Sequence, residues 1–443
     1  MDARPTWYRW YVLALLATAY AFSFIDRMIL SLIVEPIRTD LQISDTQVSL
    51  LMGLAFAIFY TVMGIPLARY ADRGSRRRLI AAGMTVWCLM TAVCGLARTF
   101  WQLFVARVGV GVGEAALSPA ASSLIADYFP QRLLGRAMAV YAMGISIGAG
   151  LALLVGGEVV AYVSRAGSIV LPLLGELKAW QAAFLIVGLP GLVVAALIGT
   201  IAEPKRTGLV AGKAGVKLPV ADGLRFLLGN WRTYAAHFVG VSVTTIMAYG
   251  YLAWVPTFFI REHGWPVDRI GQAYGLVLGV FGVIGVLTGG WLADRLYARG
   301  QTDAHWWVIL LAVAVLLPAY IFVTLVPSPW WSLALLAPGI VGGSMPAAAG
   351  PAALMIITPN ELRALVAAIY YFVINLIGLT IGPTAVALLT DYYFKDAARL
   401  PDSLAIVAAL SWAAAVLVLL AGTRHYRRSV EAAQAWLNEE ART

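Results

Sequence analysis

Long apolar runs, separated by short polar connections, occupy most of the chain. A transmembrane α-helix needs about 20 mostly apolar residues, and twelve runs reach that length. The predicted helices cover residues 10–35, 46–68, 79–97, 100–127, 136–162, 181–202, 233–260, 269–293, 306–326, 330–357, 364–390 and 403–423. An even number of helices places both termini on one side of the membrane. The pattern therefore predicts an all-α membrane protein with twelve transmembrane helices.

The composition excludes a soluble enzyme. Of the 443 residues, 61% are hydrophobic and only 12% are charged, whereas soluble domains carry roughly 25% charged residues. Arg4 and Arg9 precede the first apolar run in the manner of a signal peptide. That run continues to Ile33, however, so we interpret it as the first transmembrane helix.

Basic residues are unevenly distributed between the two sets of connections. The termini and the connections on their side carry 22 Lys and Arg residues, and the opposite connections carry eight. Cytoplasmic loops are enriched in Lys and Arg, so we expect both termini in the cytoplasm. The same bias accounts for the net charge of +9 without any nucleic-acid partner.

The two halves of the chain repeat a pattern. The second helix is followed by Asp72-Arg73-Gly74, and the eighth by Asp294-Arg295. Duplicated helix bundles are typical of transporters, whose binding site lies between the repeats. We expect an N-terminal bundle over 1–202, a cytoplasmic linker with an amphipathic helix over 203–232, a C-terminal bundle over 233–423 and a cytoplasmic tail over 424–443.

These motifs resemble a known superfamily over the whole chain. Asp72-Arg73-Gly74-Ser75-Arg76-Arg77 is similar to the cytoplasmic signature loop of the major facilitator superfamily. The signature usually has Gly four residues before its Asp, where this chain has Ala68 in the first copy and Gly290 in the second. Arg107-Val108-Gly109-Val110-Gly111 resembles the superfamily's helix-4 motif. The resemblance implies two pseudo-symmetric six-helix bundles and transport by alternating access.

A narrower resemblance concerns helices 1 and 4. Phe24-Ile25-Asp26-Arg27 and Gly111-Val112-Gly113-Glu114-Ala115 look like segments of the spinster family of lipid transporters, as does Ala126-Asp127-Tyr128-Phe129. Spinster proteins are taken to move sphingosine 1-phosphate or lysophospholipids. With its minimal loops, the chain resembles a bacterial member, which implies a multi-pass protein of the bacterial inner membrane.

Four ionisable residues lie deep in the predicted helices. A charge at the bilayer centre costs about 2.5–3.5 kcal/mol on insertion scales, so Asp26, Arg27, Arg107 and Glu114 require an explanation. One interpretation is a set of buried ion pairs that lock helix 1 to helix 4, with Asp26 reaching Arg107. The other is a functional site, in which Asp26, Glu114 and Arg107 couple protons to transport.

In that functional interpretation, the substrate's headgroup binds toward Arg27 and Arg107, and Glu114 is counted with them as a substrate-binding residue. Tyr249 and Tyr370 from the C-terminal half contact the apolar part of the substrate. Charges at the cytoplasmic helix ends then form a gate of ion pairs that break and reform, and ordinary loop solvation is the alternative. The proposed gate comprises Asp72, Arg73, Arg76, Asp127, Asp294 and Arg295.

The leading prediction is a proton-coupled transporter of an amphipathic anionic lipid, and the alternative is the same fold moving a small organic anion or a drug. A membrane enzyme would need a nucleophile with a base, or a metal cluster. The four histidines, His237, His263, His305 and His425, are scattered over separate segments. We therefore expect no enzymatic activity, no metal and no cofactor. The expected partners are the substrate, protons and membrane lipids, and the expected oligomeric state is a monomer.

Overall fold

The structure is a computed structural model that describes residues 5–167, 169–171, 175–204, 220–359 and 362–440. Within these ranges the described side chains exclude those of residues 72, 131, 132, 139, 169, 171, 220–222, 224, 364 and 435–440. Half of the predicted linker, at 205–219, lies outside the described residues.

The described chain is built almost entirely of helices. The α-helices run over Thr6–Leu32, Val34–Leu41, Asp45–Met52, Leu54–Arg73, Arg76–Cys94, Phe100–Glu114, Leu117–Tyr128, Gln131–Ala166, Ala179–Gly188, Gly191–Thr200, Val220–Gly229, Trp231–His263, Val267–Ala298, Ala304–Leu311, Pro318–Val323, Pro329–Ile357, Arg363–Leu388 and Leu400–Glu440. Ala312–Leu316 and Leu389–Phe394 are π-helical, and Ala397–Arg399 forms a 3-10 turn. Two short antiparallel strands, β1 (Ile169–Leu171) and β2 (Gly175–Leu177), pair Val170 with Glu176.

Twelve stretches of the described chain, formed by one helix or by helices in tandem, are long and apolar enough to cross a membrane. We number them as spans 1 to 12: Thr6–Leu32, Asp45–Ala71, Arg76–Cys94, Phe100–Tyr128, Arg136–Ala166, Ala179–Thr200, Trp231–His263, Val267–Ala298, Ala304–Val323, Pro329–Ile357, Leu365–Phe394 and Ala397–Gln434. The predicted all-α architecture is thus confirmed. We call the side on which the odd-numbered spans begin the near side. The side on which they end is called the far side.

The chain separates by contact into two compact units. The first comprises Met1–Gly208, Leu252–Val280 and Pro383–Leu400, and the second comprises Leu209–Tyr251, Phe281–Gly382 and Pro401–Thr443. The first unit thus contains spans 1 to 6 together with the far-side parts of spans 7, 8 and 11. All of the deep charges predicted from the sequence belong to this first unit.

Two features of the first unit position those charges. Span 2 is interrupted at Gly53, where one helix ends at Met52 and the next begins at Leu54. The backbone of span 4 passes very close to span 2, because a Cβ placed at Gly111 would lie 2.6 Å from the Phe56 carbonyl oxygen. Only glycine permits this approach, and it brings the charged face of span 4 against spans 1 and 2.

Candidate functional site

Span 1 and span 4 are joined by a buried ion pair. The Arg27 guanidinium donates from Nε and Nη2 to a single oxygen of Glu114, Oε2, at 2.8 and 2.6 Å. The Glu114 side chain is 1% exposed, while that of Arg27 is 12% exposed. The other Glu114 oxygen, Oε1, is buried and accepts no hydrogen bond from the described residues. Arg27 is therefore the more exposed member of the pair.

Aromatic rings surround the Arg27 guanidinium. Its Cζ lies 4.4 Å from the centroid of the Phe56 ring, 4.9 Å from that of Tyr60 and 5.2 Å from that of Phe24. A cation within about 6 Å of an aromatic face is attracted by the ring quadrupole. The rings therefore stabilise the charge of Arg27 without consuming its hydrogen-bond donors.

Arg107 forms its hydrogen bonds with backbone carbonyl groups of two other spans. It is 1% exposed, and it donates from Nε to the Leu51 carbonyl at 3.3 Å and from Nη1 to the Asp26 carbonyl at 3.2 Å. Leu51 precedes the interruption of span 2, where a helix end leaves carbonyl groups without partners in the helix. Arg107 therefore ties spans 1, 2 and 4 together through backbone groups.

Asp26 is the second buried acid of the site. It is 1% exposed, and its Oδ1 accepts no hydrogen bond from the described residues. The expected contact between the Asp26 carboxylate and Arg107 is not formed, because Arg107 binds the backbone carbonyl of Asp26 instead. Glu114, Arg107 and Arg27 nevertheless lie within electrostatic range of Asp26.

On the near side, Arg76 joins three spans of the first unit. Its side chain is 1% exposed and forms ion pairs with Asp127, at the end of span 4, and with Glu203, just after span 6. It also donates to the Ser123 hydroxyl at 2.9 Å. We call Arg76, Asp127 and Glu203 the near-side clamp. All three residues belong to the N-terminal half, so the clamp holds one bundle together.

Glu203 is held in its ionised form by this clamp. Burial by itself raises the pKa of the Glu203 carboxyl, but hydrogen bonds from Arg76, the Arg77 backbone N–H and the Ser75 hydroxyl outweigh burial and lower it. The Arg77 N–H and the Ser75 hydroxyl share Oε2 at 3.1 and 2.9 Å. Glu203 therefore also satisfies one backbone donor, the Arg77 N–H, at the start of span 3.

The other predicted gate residues form no ion pair among the described side chains. Arg73, Asp294 and Arg295 are exposed, and the Arg295 guanidinium lies 5.1 Å from the centroid of the Trp291 ring. The Asp72 side chain lies outside the described ones. Among the described side chains of the predicted gate, Arg76 and Asp127 are the two that form an ion pair with each other.

On the far side, a second cluster joins both halves of the sequence within the first unit. Arg261, near the end of span 7, donates to both oxygens of Asp45 at 2.7 and 2.8 Å, and it also pairs with Glu35. Asp45 is fully buried at the start of span 2. A bidentate arginine–carboxylate pair is among the stronger charge interactions in proteins. We call Glu35, Asp45 and Arg261 the far-side cluster.

The two predicted tyrosines lie in the second unit. Tyr249 donates from its hydroxyl to Asn375 Oδ1 at 3.3 Å. Tyr370 is 1% exposed, and its ring packs on His237 and Phe238. Its neighbour Tyr371 is 47% exposed. Because successive helical residues point about 100° apart, the sequence did not indicate which of the two tyrosines is accessible.

Neither Glu203 nor the far-side cluster was predicted from the sequence. Arg261 is one of the eight basic residues on the side where Lys and Arg are depleted, and that exception was the available signal for an acidic partner. Glu203 begins a near-side connection that also carries six basic residues. Nothing in the sequence indicated that the partners of Arg261 lie more than 200 positions away, at Glu35 and Asp45.

Comparisons with known proteins agree with this architecture. The sequence profile of the Major Facilitator Superfamily matches residues 16–383. An MFS-type efflux pump of Mycolicibacterium smegmatis is 32% identical over 96% of this chain and 95% of the pump. A hexuronate transporter of Bacillus subtilis is 25% identical, and the match covers 65% of each chain.

Solved structures extend the comparison to the fold. The crystal structure of a bacterial homologue of the human lysosomal transporter Spinster, in an inward-facing and unoccupied conformation, is 26% identical with a TM-score of 0.79. The match covers 97% of this chain and 98% of that one. These relatives are transporters rather than enzymes. With its twelve spans and its spinster-like fold, the chain belongs to the Major Facilitator Superfamily of membrane transporters.

Proposed function

We propose that this protein is a proton-coupled transporter of an amphipathic organic anion, and that Arg27 binds the anionic group. The observation that carries the proposal is the Arg27–Glu114 pair, in which one guanidinium holds one oxygen of a fully buried carboxylate. A guanidinium binds phosphate or carboxylate through two parallel hydrogen bonds. An anionic substrate therefore competes with Glu114 for Arg27.

This competition supplies the coupling. When the substrate anion takes over the donors of Arg27, the Glu114 carboxylate loses its cation while it remains buried. A buried charge without a partner is strongly unfavourable, so Glu114 takes up a proton. Anion and proton then bind together, which makes the mechanism a symport. Asp26, whose Oδ1 accepts no hydrogen bond from the described residues, serves as a second acid beside Glu114.

Alternating access requires that the far-side cluster open during the cycle. Arg261 holds Asp45 and Glu35 on the far side, which we assign to the outside of the bacterial inner membrane from the distribution of basic residues. When that side opens, the ion pairs of Arg261 with Asp45 and Glu35 break, and water hydrates the separated charges. The near-side clamp lies within the N-terminal bundle, so we propose that it keeps the bundle rigid while the two halves move.

The deep charges favour an amphipathic substrate. Those identified from the sequence all lie in spans 1 and 4, and a uniformly polar substrate would need hydrogen-bond partners throughout its surface. A lipid with an anionic headgroup needs them at one end only, because its hydrocarbon chain forms no hydrogen bonds. The resemblance of helices 1 and 4 to the spinster family, whose members are taken to move lysophospholipids or sphingosine 1-phosphate, favours a lipid of that type.

A small organic anion is the second candidate. Relatives at 25% identity are named as transporters of hexuronate and gallate, and both ligands carry a carboxylate that suits Arg27. The two candidates differ in what lies beyond the charged group, which is a hydrocarbon chain in one and hydroxyl groups in the other.

Flux into proteoliposomes distinguishes these candidates. We expect an inward proton gradient to drive accumulation of 1-oleoyl lysophosphatidate, with little uptake of D-glucuronate or gallate. Glu114→Gln should abolish the dependence on the gradient. Glu262→Gln, an equivalent change at an exposed far-side position, is the matched control. Uptake that does not depend on the proton gradient would contradict the proton coupling. Preferential uptake of glucuronate would show that the substrate is a small organic anion.

A further inference from the structure

A polar pocket of about 270 Å³ lies in the second unit, where the beginning of span 7 meets the near-side end of span 12. Its wall includes Arg232 from span 7, and His425 and Arg428 from span 12. Thr233 and Ser429, whose hydroxyl groups are 2.8 Å apart, close the contact between the two helices. The pocket shares no residue with the Arg27–Glu114 site.

The charge of this pocket is entirely basic. Two arginines and a histidine line it, and no carboxylate does so among the described residues. Neither Arg232 nor Arg428 forms an ion pair in the described part of the chain. By contrast, Arg427, which directly precedes Arg428 in the sequence, pairs with Asp303 at 3.0 Å. Arg232 and Arg428 are both exposed, and an anion in the pocket that they line would offset the repulsion between their charges.

The surroundings of the pocket are those of a membrane interface. Trp231 lines the pocket, is 57% exposed and has its ring 5.7 Å from the Arg232 guanidinium. Leu228, at the end of the preceding helix, is 71% exposed. Tryptophan is enriched where the acyl region of a bilayer meets its headgroups. Apolar side chains for acyl chains thus lie beside basic side chains for a headgroup.

We propose that this pocket binds the phosphate of an anionic phospholipid from the cytoplasmic leaflet. Pockets that hold a whole drug-sized ligand start at about 300 Å³, so this one suits a headgroup whose acyl chains remain outside, against Leu228 and Trp231. Basic pockets between transmembrane helices on the cytoplasmic side are suited to such headgroups. The lipid there is a bound component of the membrane and is distinct from the transported substrate.

The site also has a structural consequence. It lies directly after Val220–Gly229, the helix that follows the connection between the two halves, and it joins that region to the tail helix. A phosphate bound by both Arg232 and Arg428 cross-links span 7 to span 12. Anionic lipid therefore stabilises the folded protein, because a ligand that binds only the native state raises its stability.

The test measures binding of phosphatidylglycerol to the purified full-length protein by native mass spectrometry and by the rise in melting temperature. The pocket variant is Arg232→Gln/Arg428→Gln. The control is Arg299→Gln/Arg424→Gln, which removes two exposed near-side arginines outside the pocket wall. We expect the pocket variant to lose about tenfold or more in affinity for phosphatidylglycerol, and the control to retain wild-type binding.

Two further compounds test which part of the lipid is recognised. Phosphatidylcholine tests whether any phospholipid is sufficient, and sn-glycerol 3-phosphate at equal concentration tests whether the free headgroup is the ligand. Equal binding of either compound would overturn the proposal, as would equal losses in the two double variants. Arg232→Gln alone provides a milder change, and an unaltered melting temperature in phosphatidylcholine verifies that each variant is folded.

Discussion

Arg27 binds Glu114 through one oxygen only: Nε and Nη2 both reach Oε2, while Oε1 is buried without a hydrogen-bond partner among the described residues. A bidentate pair, in which the arginine bound both carboxylate oxygens, would join spans 1 and 4 more strongly. The observed arrangement leaves the pair open to exchange. Because Arg27 is the more exposed member, an incoming anion meets it first.

Replacing Arg27 tests how the anionic group is recognised. We expect Arg27→Ala to weaken binding of a phosphorylated lipid by about tenfold or more, because a charge-assisted hydrogen bond contributes roughly 1.5–3 kcal/mol. The dephosphorylated analogue should be affected much less. Binding of sphingosine 1-phosphate and of sphingosine, measured by scintillation proximity, provides the comparison. Equal losses for the two ligands would show that Arg27 does not contact the phosphate.

Arg107 is expected to act on stability. It supplies hydrogen bonds to the Leu51 and Asp26 carbonyls, and an unsatisfied buried polar group costs about 1–3 kcal/mol. Arg107→Gln should therefore lower the melting temperature in detergent by several degrees. Arg98→Gln, which is the same substitution at an exposed position, should lower it less. An equal or larger fall for Arg98→Gln would contradict the role that we assign to Arg107.

The near-side clamp predicts a specific dependence on pH. The pKa of Glu203 is lower in the folded protein than its usual value, so the unfolded chain takes up a proton first as the solution is acidified. The stabilisation by Glu203 is thus fully present above about pH 4.3, and it is lost as the pH falls through the folded pKa. Glu203→Gln should destabilise the protein at pH 7, with a deficit that shrinks in acid.

Thermal melting between pH 3.5 and 7.5 measures this dependence. Glu262→Gln is the control, because Glu262 is exposed and belongs to no ion pair among the described residues. A deficit for Glu203→Gln that stays constant over the whole range would mean that the carboxylate charge plays no part in the clamp.

The far-side cluster predicts a conformational effect. Arg261→Gln leaves Asp45 fully buried without its bidentate partner, which favours hydration and separation of the far-side ends. Spin labels at Thr39 and Glu262, both exposed, should show a population at longer distance by double electron–electron resonance. Arg165→Gln is the matched control, because its pair with Asp268 is 71% exposed on the arginine side and exposed pairs contribute little. Identical distance distributions for Arg261→Gln and the wild type would show that the far-side cluster does not hold the far side closed.

The twelve spans were predictable because each requires only a local apolar run of sufficient length. Asp26, Arg27, Arg107 and Glu114 stood out for the same reason, as charges within those runs. Their pairing was not predictable, since it depends on the approach of Gly111 to Phe56 and on the interruption of span 2 at Gly53. These tertiary features direct Arg107 to carbonyl groups and leave Arg27 for Glu114.

The charges outside the membrane were harder to assign from sequence. Asp127 and Arg76 lie at predicted helix ends, but their third partner, Glu203, follows a different helix. Arg261 finds Asp45 from the other half of the chain. A charged residue in a connection has many partners within reach, and only the folded arrangement selects one of them.

Proton uptake on substrate binding tests the central claim most directly. Calorimetric titration of lysophosphatidate into the purified protein, in buffers of different ionisation enthalpy, gives the number of protons bound with each anion. Displacement of Glu114 from Arg27 predicts uptake of close to one proton in the wild type and of none in Glu114→Gln. Binding without proton uptake in the wild type, or unchanged uptake in Glu114→Gln, would contradict the account.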